Sequence, residues 1–161
     1  MIDTSQLEEF ARKVEAASAD LKPYVGKALE EAGEEFLKIV QRNIEAQGNV
    51  DTKRLLSSFT KGEDGNIWNL DLGGLSLQIG TNVEYAKWVD RGHRQTPGRF
   101  IPGVFVGDKF QYVPGAKSGM VLKASFTKGS FYFSRSADTL RRMFPEMIDN
   151  SFEQFFNRYF S

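Results

Sequence analysis

Residues 89–99 read "VDRGHRQTPGR" and gather the chain's only histidine, His93, with Arg91, Arg94, Arg99 and two glycines. Three chemistries use such residues: an imidazole acting as a base, guanidiniums and backbone N–H groups cradling an anion, or a cationic surface gripped by another protein. A hydrolase would need a nucleophile, a base and a group that orients the base. No "GxSxG" accompanies His93, and one histidine cannot make "HExxH". Asp90 and Glu84 read as ordinary surface acids, so catalysis is not expected. Neither "GxGxxG" nor "GxxxxGK[ST]" is present, which argues against a nucleotide. With no cysteine in the chain, disulfides, thiolate zinc sites and thiol nucleophiles are excluded together. No cofactor or metal is expected. The arginines are best read as partners for acids on a neighbouring molecule, with a DNA backbone as the second reading.

Composition narrows the class further. The 161 residues suit a single domain, here spanning residues 1–161 with a loop-rich insertion at about 93–119. Lys+Arg and Asp+Glu both total 21, against the basic excess of a dedicated nucleic-acid binder. The balance is local, however. Residues 1–48 hold ten acids and six bases, a net of −4, and the remainder is +4. Opposite charge at the two ends suits head-to-tail packing of copies. The fourteen phenylalanines exceed what a core of this size requires and fit protein–protein surfaces. No apolar run reaches the roughly 20 residues of a membrane span, and the first residues lack a signal-peptide pattern, so synthesis in the cytoplasm is expected.

The elements that must position this segment follow from periodicity. Leu7, Phe10, Ala11, Val14 and Leu21 recur at helical spacing, and Ser5 with Glu8 resembles a capping box. Pro23 is expected to break or kink that helix. A second helical pattern runs from Val25 to Ile44 and stops at Gly48, with Glu30, Glu31, Glu34 and Glu35 on a solvated face. A short helix is expected in "VDTKRLLSSF", capped by Asp51. "NIWNLDL" and "LSLQIG" predict a hairpin about Gly73-Gly74. "VEYAKWVDRG" returns to helix, with Tyr85 and Trp88 on one face fixing it to the sheet and Gly92 ending it. "VFVGDKFQYV" suggests one short strand, and "MVLKASF" with "SFYF" a pair of strands about residues 127–129. The final segment, from Ser136, places Leu140, Met143, Phe144, Met147, Ile148, Phe152, Phe155, Phe156 and Tyr159 on a face wider than one sheet covers. Pro145 should kink or restart it. The class is α+β: a small, mainly antiparallel sheet packed against a long N-terminal helix and a C-terminal helix.

Two stretches carry a resemblance. "VDTKRLLSSF" is similar to an "xDTGxLxxSI" pattern through Asp51, Thr52, Arg54, Leu55, Ser58 and Phe59. "IGTNVEYAKWVDRGH" is similar to "VGTxVxYAxYVExGT" through Gly80, Thr81, Val83, Tyr85, Ala86, Trp88, Val89 and Gly92. In this order the two motifs resemble those of the small neck proteins of long-tailed bacteriophages, the head–tail joining or tail-completion components. Lys53 stands where that pattern has glycine, Asp90 where it has glutamate, and residues 94–119 resemble a variable insertion. The resemblance implies a structural virion protein without cofactor at the head–tail junction, assembled in the host cytoplasm. Its implied partners are copies of itself in a ring, six to match the tail, together with connector or head-completion proteins and the tail terminator or tube. DNA would pass through the channel. Arg91, His93, Arg94, Arg99 and Phe100 are then candidates for the assembly interface or channel wall. The alternative is a nucleic-acid-binding accessory protein contacting DNA through the basic 91–123 region, with Lys109, Lys117 and Lys123 joining the arginines.

Overall fold

The computed structural model describes residues 5–48 and 53–161. Asp51, with its expected capping role, and Thr52 lie outside the described residues. The chain divides into two compact units, one of Met1–Ala86 with Tyr132–Ser161, the other of Lys87–Phe131.

The first unit is built on α1 (Ser5–Ala46) and α4 (Tyr132–Phe160). Both helices run through their prolines, so Pro23 does not break α1 and Pro145 does not restart α4. Pro23 and Pro145 both lie on exposed faces, where water can take the carbonyl each leaves without an N–H. The helices run antiparallel. Asn43 Nδ2 donates to Ser136 Oγ at 2.8 Å, the Tyr24 hydroxyl donates to the Ser151 carbonyl at 2.8 Å, and the Phe10 and Phe160 rings lie 6.0 Å apart. α4 starts at Tyr132 because "SFYF" is not a strand; Tyr132 and Ser136 face inward one turn apart and are fully buried.

A hairpin of β1 (Asn66–Asp71) and β2 (Ser76–Thr81) packs on α1. The expected two-glycine turn is a four-residue loop, residues 72–75, with Leu75 at φ 48°. Two glycines two turns apart on α1 make the seat. A Cβ on Gly26 would stand 2.3 Å from Leu72 Cδ2, and one on Gly33 within 2.8 Å of Leu77, Trp68 and Ile79. The helix forgoes roughly 1 kcal/mol of propensity at each glycine to admit those side chains. Below them Phe36, Leu37, Ile39, Val40 and Ile44 continue the core.

Glu30, Glu31, Glu34 and Glu35 on α1 are paired with lysines or an arginine rather than free. Lys61 Nζ lies 3.1 Å from Glu30 Oε1 and 3.3 Å from Glu34 Oε1, and 4.3 Å above the Trp68 ring. The hydrogen bond to Glu30, above all, holds the Lys61 ammonium above its ordinary 10.5. The folded chain therefore binds that proton more tightly than the unfolded one. The stabilisation is complete below 10.5 and lost as pH rises through the raised folded value. Lys61→Met is expected to lower the urea midpoint slightly at neutral pH, and the midpoints of variant and parent should converge above that range.

The second unit holds α3 from Lys87 onward (Ala86–Arg91 in full) and five short strands. β3 (Gly92–Arg94) pairs with β7 (Phe126–Lys128), and β4 (Phe100–Val106) lies between β5 (Lys109–Tyr112) and β6 (Gly119–Val121), all antiparallel. The single strand expected in "VFVGDKFQYV" is thus a hairpin, and the expected pairing of "MVLKASF" with "SFYF" does not form. The β1–β2 hairpin belongs to the first unit, so the α+β class holds with three small sheets in place of one. Close approach requires glycine in β4 and β6. A Cβ on Gly103 would meet the Gln111 carbonyl at 2.3 Å, and one on Gly119 the Ile101 carbonyl at 2.2 Å. The Phe110 and Phe100 rings close over these bare positions.

Candidate functional site

In the first unit the motif residues meet in a buried joint. Arg54 and Leu55 begin α2 (Arg54–Ser57), entered through Lys53 at φ 59° and ψ −8°. Lys53 thus keeps the left-handed turn where the neck-protein pattern places glycine; the turn is neither relaxed nor absorbed into a longer helix. Lys53→Gly is expected to raise stability by about 0.5–1 kcal/mol, the left-handed penalty less glycine's own entropy, read from the urea midpoint.

Leu55, Ser58 and Phe59 then turn inward. The Ser58 hydroxyl donates to the Leu55 carbonyl at 2.8 Å and accepts from Thr81 Oγ1 at 2.8 Å. Thr81 Oγ1 in turn accepts the Val83 N–H at 3.1 Å, which begins the turn into α3. The Ser58 carbonyl accepts from Asn66 Nδ2 at 3.0 Å. Gly80 faces Ile67 in the register, Val83 and Ala86 are buried, and the Tyr132 hydroxyl reaches the Ala86 carbonyl at 3.4 Å. The signature of the first stretch is therefore bonded to that of the second. In a double-mutant cycle, Ser58→Ala and Thr81→Val should couple by about 0.5–1.5 kcal/mol. Strict additivity would contradict the bond.

The candidate interface residues all lie in the second unit and all are exposed. Arg91 ends α3. His93 pairs with Thr127 and Arg94 with Phe126 across β3–β7, and Phe100 pairs with Val121. The stretch expected as loop is laced to the chain after β6. Gln95 N–H donates to the Ser125 carbonyl, Gly98 N–H to the Leu122 carbonyl, and Leu122 N–H to the Arg99 carbonyl, each at 2.9 Å. Among the described residues no carboxylate lies within 4.0 Å of Arg91, Arg94 or Arg99. The Trp88 ring lies 6.5 Å from that of His93, tilted, and among the described residues no hydrogen bond orients the imidazole as a base. Trp88 is 49% exposed, with Lys87 Nζ 5.0 Å from its ring centre, so it presents a surface rather than filling a core. Tyr85, in the first unit, is half-buried. Asp90, read as a surface acid, is buried instead; its backbone carbonyl accepts the Phe131 N–H at 2.8 Å and lies against Gly129.

Charge separates by unit more sharply than by sequence halves. Lys87–Phe131 holds eight Lys or Arg against Asp90 and Asp108, a net of +6, which leaves −6 on the rest of the chain. The exposed apolar residues that flank these cations, Val104, Phe105, Val106, Val121 and Phe126, escaped the sequence reading. Their strands are three to seven residues long and show no one-sided alternation.

Comparison with known proteins agrees with the motifs. Residues 8–92 match the family model described as "Bacteriophage HK97-gp10, putative tail-component". The Phage-like element PBSX protein XkdI of Bacillus subtilis (strain 168) is 36% identical over 146 residues, 89% of this chain and 91% of the relative. A protein of the same organism named YqbI is 36% identical over 156 residues, 92% of this chain and 93% of that one. No solved structure matches. More than half of the chain lies within the family model and both relatives match over nearly their whole length, so the chain belongs to the HK97-gp10-like family of phage tail components.

Proposed function

We propose that this protein is a non-catalytic virion component of the neck, joining the head connector to the tail tube and working as a ring, with six copies matching the tail. One observation carries this reading. The motif residues among those described are spent largely on internal bonds and core packing, Ser58 to Thr81 above all, so the family signature specifies a scaffold. What the second unit leaves exposed is cationic and apolar surface, and among the described residues no hydrogen bond orients His93 as a base. Such surface serves contact with other polypeptides: neighbouring copies, head-completion proteins on one side, and the tail terminator or tube on the other. Membership of a tail-component family supports that use. Among the described residues no helix is long and apolar enough to cross a membrane, which fits assembly in the host cytoplasm followed by residence in the particle.

Deleting the coding sequence from an inducible prophage tests the reading. Filled heads and finished tails that fail to unite are expected. Normal joined particles would overturn it. A second reading, contact with DNA in the channel, is favoured by the +6 of the second unit. Replacing Arg91, Arg94 and Arg99 together with glutamine would then remove about three units of salt slope from any measured DNA affinity.

A further inference from the structure

We propose that the face of the three-stranded sheet that carries Val104, Val106 and Val121 in one copy docks on the aromatic end of the α1–α4 pair in a second copy, giving a head-to-tail contact. The inference deepens the ring reading above and rests on it.

The sheet side is set by register. Phe100, Val104 and Val106 alternate along β4, and Val121, paired with Phe100, shares their face. All four are exposed, Val106 by 63%. Lys109 and Gln111, paired with Val106 and Val104, lie on the same face, in a unit of net charge +6. The apolar side chains of a strand face normally pack on a core. These face water.

The helical side is equally uncovered. Phe10 meets Phe160, whose ring lies 6.1 Å from Phe156, so the three aromatics are continuous. Phe10 and Phe156 are each more than half exposed, and Leu7 and Val14 extend the strip along α1. Asp149, Glu153, Phe156 and Phe160 follow at steps of four, three and four, which places them on one stripe of α4. Residues 5–21 and 149–161 carry six carboxylates against three cations. Glu15, Asp149 and Glu153 form no ion pair among the described residues.

Charge decides which faces meet. Sheet against sheet sets +6 against +6, and helix end against helix end sets acid against acid; only the mixed contact brings opposite signs around apolar centres. A mixed contact is heterologous, so each copy keeps one free face and the chain of contacts closes into a ring or runs on. DNA fits the sheet face less well. Phosphates would pair with the cations but leave Val104, Val106 and Val121 uncovered.

The test uses purified full-length chain in sedimentation velocity. At about 50 mM salt and about 100 µM the parent should sediment as species larger than a monomer, and raising salt to about 500 mM should weaken association several-fold. Val104→Glu with Val106→Glu should weaken it at least about tenfold, as should Glu153→Lys with Phe156→Lys, each with the parent's circular dichroism and thermal midpoint. Mixed one to one, the two variants retain one sound face of each kind and should stop at a heterodimer. A parent that is monomeric throughout, assembly undiminished in folded variants, or a sheet-face variant that loses only DNA binding would each overturn the proposal. Particle content separates this from the neck reading. Oligomers absent from particles overturn that reading and leave the contact standing, whereas particles that incorporate both variants normally overturn the contact alone.

Discussion

Phe59→Ala is expected to lower the stability of the first unit by about 3–5 kcal/mol, the usual cost of deleting a buried aromatic ring. Phe59 is 0% exposed and sits where the elements of that unit converge. Its ring lies edge-on to Tyr132 at 5.9 Å and 6.1 Å from Phe133, which itself stands edge-on to Phe36 at 5.3 Å. Its carbonyl accepts from Gln41 Nε2 at 3.1 Å, so the residue ties α1 to the end of α2 through backbone as well as ring. Urea denaturation followed by tyrosine fluorescence measures the loss. A change under about 1 kcal/mol would show that the joint is not the centre of this core.

Gly92→Ala should disable the second unit while sparing the first. Gly92 has φ 79°, and an added Cβ would fall 2.3 Å from the Thr127 carbonyl oxygen and 2.6 Å from the Gly129 nitrogen. Both neighbours are backbone and cannot swing aside. Left-handed strain and forced separation of β3 from β7 together cost about 2–5 kcal/mol. Limited proteolysis is the discriminating readout: cleavage within residues 87–131 should rise sharply while the helical pair stays protected. Equal protection of both regions would contradict the close approach.

How much of this was legible beforehand differed between the two units. The helical stripe of α1 and the alternation in "NIWNLDL" and "LSLQIG" are local patterns, and both elements formed where expected. Pro23 did not break its helix and Pro145 did not restart one, because the cost of a helical proline depends on whether water reaches the freed carbonyl, which tertiary placement decides. Residues 93–119 were read as loop-rich because β3 and β6 find their partners far along the chain. Gly92 pairs with Lys128 and Phe100 with Val121, over spans that no short window captures. The glycines of β4 and β6 looked like punctuation, yet they admit crossing backbone and aromatic lids.

The candidate residues show the same division. Ser58 and Thr81 were legible as motif residues, but only the folded chain puts their hydroxyls 2.8 Å apart. Arg91, His93, Arg94 and Arg99 were singled out by type alone, and all four are exposed. The excess of phenylalanine and the wide stripe of the last helix hinted at a second packing surface. Phe156, on that stripe, stands 53% exposed.

Imaging induced particles that carry an affinity label on this chain addresses the central claim most directly. Label in a single collar between head and tail, and nowhere else, is the predicted outcome. Label along the whole tail tube, or particles free of it, would contradict a neck protein.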